Sequence, residues 1–236
     1  MTKLILLILG LAAVPLAIFS SVNTIASSNP VNMDRGGYPA HWWEAVSREG
    51  VPEWEVLPQE AGPGEVILSK RNELGILSNF APTPFIFRGK RYASLEGFWQ
   101  AMKYPESEND PRASIPEFDW EHTREEVTQL AAFEAKAAGD LGSKAMKILG
   151  IDWVSFEGSR MTYRPVAPRK EEHYQLIEDA MWAKLTQNDE VRRILLLTGD
   201  LILRPDHQTE ENPPTAWRYC DIYMQFREKL GKNAKF

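Results

Sequence analysis

Ser94-Leu-Glu-Gly-Phe-Trp-Gln-Ala-Met-Lys103 is the stretch on which the reading of the fold turns. Ser94 brings a side-chain oxygen to the point where the free N–H groups of a helix start need acceptors. Behind it, Leu95, Phe98, Trp99 and Met102 recur at i, i+3, i+4 and i+7, the spacing of one core-facing helical stripe. Glu96, Gln100 and Lys103 form a second stripe on another face, roughly 120° from the first at 100° per residue. These polar groups either line a cleft along the edge of a buried helix or make an ordinary solvated face, with Glu96 favoured by the helix N-terminus. Spacing leaves both readings open.

Outward from this helix the chain reads as a mainly α domain of α+β type. Glu65-Val-Ile-Leu68 reads as a short strand, and Pro84-Phe-Ile-Phe-Arg-Gly-Lys-Arg-Tyr92 as a hairpin turning at Arg88 and Gly89, after which no further β structure is expected. Thr123 and Glu126 make a capping box for a second helix through Val127, Leu130 and Ala131, interrupted by Gly139 and Gly142. A third helix spans about 170–186 on the stripe Tyr174, Ile177, Met181 and Leu185, and a fourth runs from Asp189 to Leu197 and stops at Gly199. The last follows Pro213-Pro214, is capped by Thr215, buries Tyr219, Ile222, Tyr223, Phe226 and Leu230, and ends at Gly231.

The 236 residues are 43% hydrophobic and 25% charged, the balance of one globular domain able to bury a core. Its first residues differ: Lys3 precedes an apolar run at 4–19, and small and polar residues follow to position 29. This pattern reads as an export signal over 1–26, either cleaved after Ala26 or kept as a membrane anchor, although the run is short of the roughly 20 residues of a spanning helix. Export implies a periplasmic or secreted domain. Residues 27–64, rich in Pro, Gly and Trp, read as an irregular extension whose Trp42, Trp43 and Trp54 pack onto the domain at 65–236.

Cys220 is the sole cysteine, so no intramolecular disulfide exists, and its place on an apolar helix makes it a small core residue. A net charge of −6 excludes a general nucleic-acid binder, and any anionic ligand must be held by local cations. His41, His122, His173 and His207 lack ligand spacing, and no Gly-rich phosphate loop or GxSxG elbow occurs, so neither a metal nor a cofactor is expected. Arg88, Lys90 and Arg91, and again Arg160, Arg164, Arg169 and Lys170, are basic clusters that suit either phosphate binding or solubility. The loop Gly75-Ile-Leu-Ser-Asn-Phe80 combines a flexible glycine, an amide and a ring; it either cradles a base or ribose or simply turns into the hairpin.

Taken together, Leu74-Gly-Ile-Leu-Ser-Asn-Phe80, Pro84-Phe85, Gly89-Lys90, Tyr92, Ser94, Glu96, Gln100, Ala101 and Lys103 resemble the N-terminal signature of the NADAR family, G-x-x-S-N-F, P-F, G-K and S-x-E-H-x-x-Q-A-x-K. Ala180-Met-Trp-Ala-Lys-Leu-Thr-Gln187 is similar to that family's A-L-x-A-K-F-x-Q, and Met224, Arg227 and Leu230 to its closing helix, so the likeness spans roughly 67–230. The chain departs at Gly97, where the family has histidine, and at Asp206-His207, which replace a Trp-Gly and Gly-Lys-Asn loop. Residues 150–169 align poorly, so a tryptophan the family carries there is either Trp153 or absent.

The resemblance implies a compact, mostly helical N-glycosidase that breaks the C1′–N bond of a phosphorylated ribosyl or ADP-ribosyl small molecule. It implies Glu96 as the catalytic carboxylate and Gly75, Ser78, Asn79, Phe80, Trp99 and Gln100 as substrate-binding residues; Asp206 and His207 either stand in for the polar group the family places before its last helix and bind substrate, or are ordinary loop residues. Lys70 and Lys103 are the candidates for a lysine that attacks the anomeric carbon. Two other classes stand beside the enzyme: a nucleotide-binding module that has lost hydrolysis through the altered loop, and a structural envelope protein in which residues 29–64 cover the cleft.

Overall fold

In the computed structural model, residues 36–163 and 170–233 are described. The apolar run at 4–19, the cleavage position after Ala26, and Arg164 and Arg169 lie outside them. Among the described residues no helix is long and apolar enough to cross a membrane.

Helix α1, Leu95–Ala101, sits at the centre of the domain. Ser94 caps it as its spacing predicts, accepting from the Gly97 N–H at 2.9 Å while its own hydroxyl donates to the Leu130 carbonyl at 2.8 Å. Phe98 carries the apolar face into an aromatic cluster: its ring meets Tyr92 edge-on at 4.9 Å, Phe87 at 5.6 Å and Phe156 at 5.5 Å. Edge-to-face packing of buried rings adds about 0.5–1.5 kcal/mol per pair beyond area burial. The cluster binds α1 to two hairpins. One is the expected pair β2 (Phe85–Phe87) and β3 (Lys90–Tyr92), which turns at Arg88 and Gly89, both at positive φ.

The other hairpin corrects the expectation that β structure ends at Tyr92. Strands β4 (Trp153–Phe156) and β5 (Ser159–Thr162) pair antiparallel through a turn at Glu157 and Gly158, also both at positive φ. Further on, β6 (Ile202–Arg204) pairs in parallel with β1 (Glu65–Ile67). Strands of three or four residues are too short to show a period, and a parallel pairing of distant segments leaves no local trace.

Two glycines are corrected as well. The second predicted helix is two: α2, Arg124–Thr128, with the capping box of Thr123 and Glu126 in place, and α3, Ala132–Leu149, which runs unbroken through Gly139 and Gly142. Those glycines mark close approach. A β-carbon at residue 142 would stand 2.7 Å from Lys103 Cβ, and one at residue 139 would overlap Gln100. Helices α4 (Lys170–Gln187) and α5 (Asp189–Leu197) follow the expected bounds. Helix α6 is Tyr219–Asn233; Thr215 opens a 3-10 turn, Thr215–Trp217, rather than capping α6, and Gly231 lies inside the helix.

The core unites Val66, Leu68, Leu74, Phe98, Met102, Met181, Leu185, Ile194 and Tyr223 with Trp42 and Trp43 of the extension. Cys220 is buried among them. Trp42 and Trp43 therefore pack onto the domain as expected, whereas Trp54 stays 43% exposed.

Candidate functional site

Glu96, Gln100 and Lys103 are all buried, at 6, 4 and 7% exposure, so the solvated-face reading of this stripe does not hold. Glu96 occupies the first turn of α1, its backbone N–H bonded to the Asn79 carbonyl at 3.0 Å. One helical turn later the Gln100 amide donates to Glu96 Oε1 at 2.6 Å. Lys103 lies just past the helix end, where its ammonium donates to Ser143 Oγ at 3.0 Å and the Gly139 carbonyl at 3.4 Å.

Burial raises the Glu96 carboxyl above the usual range, against the opposing pull of the Gln100 hydrogen bond and the Lys103 charge. The same burial lowers the Lys103 ammonium to about 8, against the pull of Glu96. Each group is moved toward neutrality by the same dry surroundings, an arrangement suited to proton transfer near neutral pH. Lys136 and His207 act on Glu96 as further positive neighbours.

The loop upstream is held from below. Residues Glu73–Leu77 form a 3-10 turn capped by Asn72, and Ser78 Oγ accepts from the Phe80 N–H at 3.2 Å. The fully buried Lys184 donates to the Ile76 and Ser78 carbonyls at 3.1 and 2.9 Å, and burial lowers its ammonium to about 7. Gly75 is required by contact: a β-carbon there would stand 2.8 Å from the Lys70 Cα. The Asn79 Oδ1 and Gln100 Oε1 atoms are buried acceptors with no hydrogen-bond partner among the described residues. Gln100 Oε1 is packed against α3 at Gly139, which leaves the Asn79 amide oxygen as the acceptor suited to a ligand hydroxyl.

Lys70 forms an ion pair with Asp206, which is 1% exposed. Desolvation pushes the Asp206 carboxyl up, but hydrogen bonds from His207 and Lys70 outweigh it and hold the group below its ordinary value. The extension is built into this corner. Glu55 bridges His207, the Val56 N–H donates to the Asp206 carbonyl at 3.0 Å, the Gln208 N–H donates to the Trp54 carbonyl at 3.0 Å, and Arg71 grips Glu55 in a two-pronged pair at 2.7 and 2.9 Å.

Of the sequence candidates, then, Glu96, Gln100, Lys103 and Asn79 meet at one place, with Phe80, His207, Asp206 and Lys70 along the adjoining edge. Trp99 faces the far side of Lys103, 5.8 Å from its ammonium, and packs edge-on to His173 at 4.6 Å. Arg88, Lys90, Arg91 and Arg160, the described side chains of the basic clusters, do not join them. Arg88 pairs with Glu157, Lys90 with Glu125, Arg91 with Gln129, and Arg160 stacks on Trp153 at 4.2 Å. Trp153 lies between that guanidinium and the one of Arg112, 4.6 Å away. Nothing in the local spacing of Ser143 and Lys136 marks them for this site, Lys184 stands out in sequence only within the family-like run 180–187, and Trp54 reads there only as a packing residue of the extension. A groove of about 770 Å³ lined by Leu196, Met224 and Arg227 holds none of the candidate residues.

No protein-family model matches the chain, and no curated protein matches it. Among solved structures the chain is similar to the NMR structure of the E. coli protein YbiA, with 21% identity and a TM-score of 0.44, over 72% of this chain and 88% of that one. At that distance the likeness carries no assignment of function.

Proposed function

We propose that the chain is an N-glycosidase that hydrolyses the C1′–N bond of a phosphorylated ribosyl compound, an ADP-ribose conjugate or a ribosylamino-pyrimidine phosphate. The observation that carries this reading is the buried trio of Glu96, Gln100 and Lys103, whose 2.6 Å Glu96–Gln100 contact joins residues of the NADAR-like motif. As C1′ loses its nitrogen, positive charge develops at the sugar, and a carboxylate already stripped of water stabilises it strongly. Asn79 supplies an acceptor for a ribose hydroxyl and Gln100 orients the Glu96 carboxylate, while Lys103 and Lys136 offset the substrate's phosphate charge in a chain of net charge −6.

A covalent variant of this route has its own support in Lys103, whose ammonium is lowered to about 8. The neutral amine attacks C1′, the C1′–N bond breaks with its electron pair on the departing base, and the proton lost by the lysine passes to that base. Ring opening gives a Schiff base that water then hydrolyses. Lys70 is the weaker candidate, since the buried Asp206 carboxylate holds its ammonium.

Base release from ADP-ribose conjugates, NAD and ribosylamino-pyrimidine phosphates, followed by chromatography for the protein and its Glu96→Gln variant, tests the enzyme. Release by the parent alone supports it; an active variant overturns the role of Glu96, and ligand binding without release points to a nucleotide-binding module. We also propose that residues 4–19 direct export. N-terminal sequencing of the envelope-associated protein checks this, with a start at residue 27 expected from cleavage and residence in the cytoplasm contradicting it.

A further inference from the structure

Trp54 and Phe133 keep large aromatic side chains in water, 43 and 61% exposed. Scattered singly, such residues need no explanation. These two are not scattered. Phe133 stands edge-on to Phe80, with ring centres 5.3 Å apart, and the Lys70 ammonium lies 5.4 Å from the Phe80 ring and 6.0 Å from that of Trp54. The Lys70 ammonium thus links Trp54 to the Phe80–Phe133 pair, one residue along the chain from Asn79.

The backbone holds these rings in place. Ala132 has φ +50, a conformation strained for a residue with a β-carbon, and its N–H is tied to the Phe80 carbonyl at 3.1 Å. Unlike the positive-φ residues Arg88 and Glu157, it serves no hairpin turn; it sets the direction of Phe133 beside Phe80. Strain of this kind collects at functional sites. Trp54 is held through its carbonyl to Gln208 and through the Glu55–His207 bridge. Neither ring sinks into the core, although 27–64 already delivers Trp42 and Trp43 there.

We propose that Trp54, supplied by the N-terminal extension, forms with Phe80 and Phe133 a stacking site for the planar heteroaromatic base of the ligand. Lys70 directs a remaining N–H to an acceptor atom on the edge of that base. The proposal rests on the reading of Glu96 as the group facing the anomeric carbon, and it gives the extension a part in choosing the substrate. Every base offers a π-face, so the rings favour base-bearing ligands over bare sugar phosphates, while Lys70 favours bases with an exposed carbonyl or ring nitrogen.

Titration calorimetry on the full chain with the four ribonucleoside 5′-monophosphates, the matching nucleosides and ribose 5-phosphate tests it, alongside Trp54→Ala and Trp54→Phe. At least one nucleotide is expected to bind more tightly than ribose 5-phosphate. Trp54→Ala should weaken that nucleotide roughly tenfold and leave ribose 5-phosphate unchanged, with Trp54→Phe recovering most of the loss. Equal binding of nucleotide and sugar phosphate, or no effect of Trp54→Ala, overturns the stacking site and leaves the ribosyl-phosphate reading standing. Trp54-dependent binding of nucleosides with no gain from the phosphate keeps the stacking site and removes that reading. Binding of none of the probes removes both.

Discussion

Gln100 rests directly on Gly139: a β-carbon at residue 139 would stand 1.8 Å from Gln100 Oε1, 2.1 Å from its Cδ and 2.7 Å from its Cγ. The absent side chain of α3 is what lets the amide of α1 lie flat between the helices and reach Glu96 at 2.6 Å. Gly139→Ala must therefore drive Gln100 off the carboxylate. Overpacking costs about 1–3 kcal/mol, more than the roughly 1 kcal/mol that alanine gains over glycine in a helix. Because the three nearest atoms all belong to Gln100, the sign should reverse in a Gln100→Ala background, where Gly139→Ala should stabilise. Urea unfolding of the four proteins of this cycle measures the coupling. A Gly139→Ala effect that is the same in both backgrounds would show that Gln100 does not need this space.

The departure at Gly97 has a similar cause. A β-carbon there would meet the Leu130 carbonyl at 2.5 Å and that of Val127 at 2.8 Å, and backbone cannot swing aside as a side-chain tip can. The corner after α2 leans on α1 where the NADAR signature has histidine. Gly97→His, which would extend the likeness to that motif, is expected to cost about 3 kcal/mol or more and to lower the melting temperature of the chain by many degrees. A variant as stable as the parent would mean that the α2 corner moves freely.

These glycines show where sequence reading stops. The apolar stripe of α1, its Ser94 cap, the Thr123–Glu126 capping box and the Arg88–Gly89 turn are local features, and each stands where the spacing puts it. Gly139 and Gly142 carry no local sign of the helix they face, so they read as helix breakers. The choice between cleft and solvated face for Glu96 depended on α3, on Asn79 and on the His207 corner, all brought in by tertiary packing. Lys184 is the clearest case: a lysine on a helical motif, wholly buried and bonded to the loop before Asn79, with no neighbour in sequence to reveal it.

His173 makes stability depend on acid. It is 1% exposed, packs edge-on to Trp99, and its Nε2 has no hydrogen-bond partner among the described residues; burial lowers its imidazole from 6.5 to about 4. Between these values the unfolded chain takes up a proton that the folded one refuses, so this contribution is complete above pH 6.5 and is lost as pH falls toward 4. From pH 7 to 4.5 the loss through this one group is about 2–3 kcal/mol. Unfolding free energies at the two pH values should fall less for His173→Phe than for the parent by that amount. Parallel losses in both proteins would place the acid sensitivity elsewhere.

Lys103 and Lys70 are separated by the protonation each requires. Lys103 is buried and lowered to about 8, whereas Lys70 is committed to the Asp206 carboxylate. If the Lys103 amine attacks C1′, the active fraction is its neutral form, so kcat/KM should climb with pH through about 8 and level off above it. Borohydride added during turnover should then trap sugar on a peptide containing residue 103, and Lys103→Arg, which stays charged, should abolish both the adduct and the climb. Lys70→Arg keeps a cation against Asp206 and should retain the adduct. A pH profile flat through 8 with no trapped sugar would return the chemistry to water activated at Glu96, with Lys103 serving only as the positive neighbour of that carboxylate.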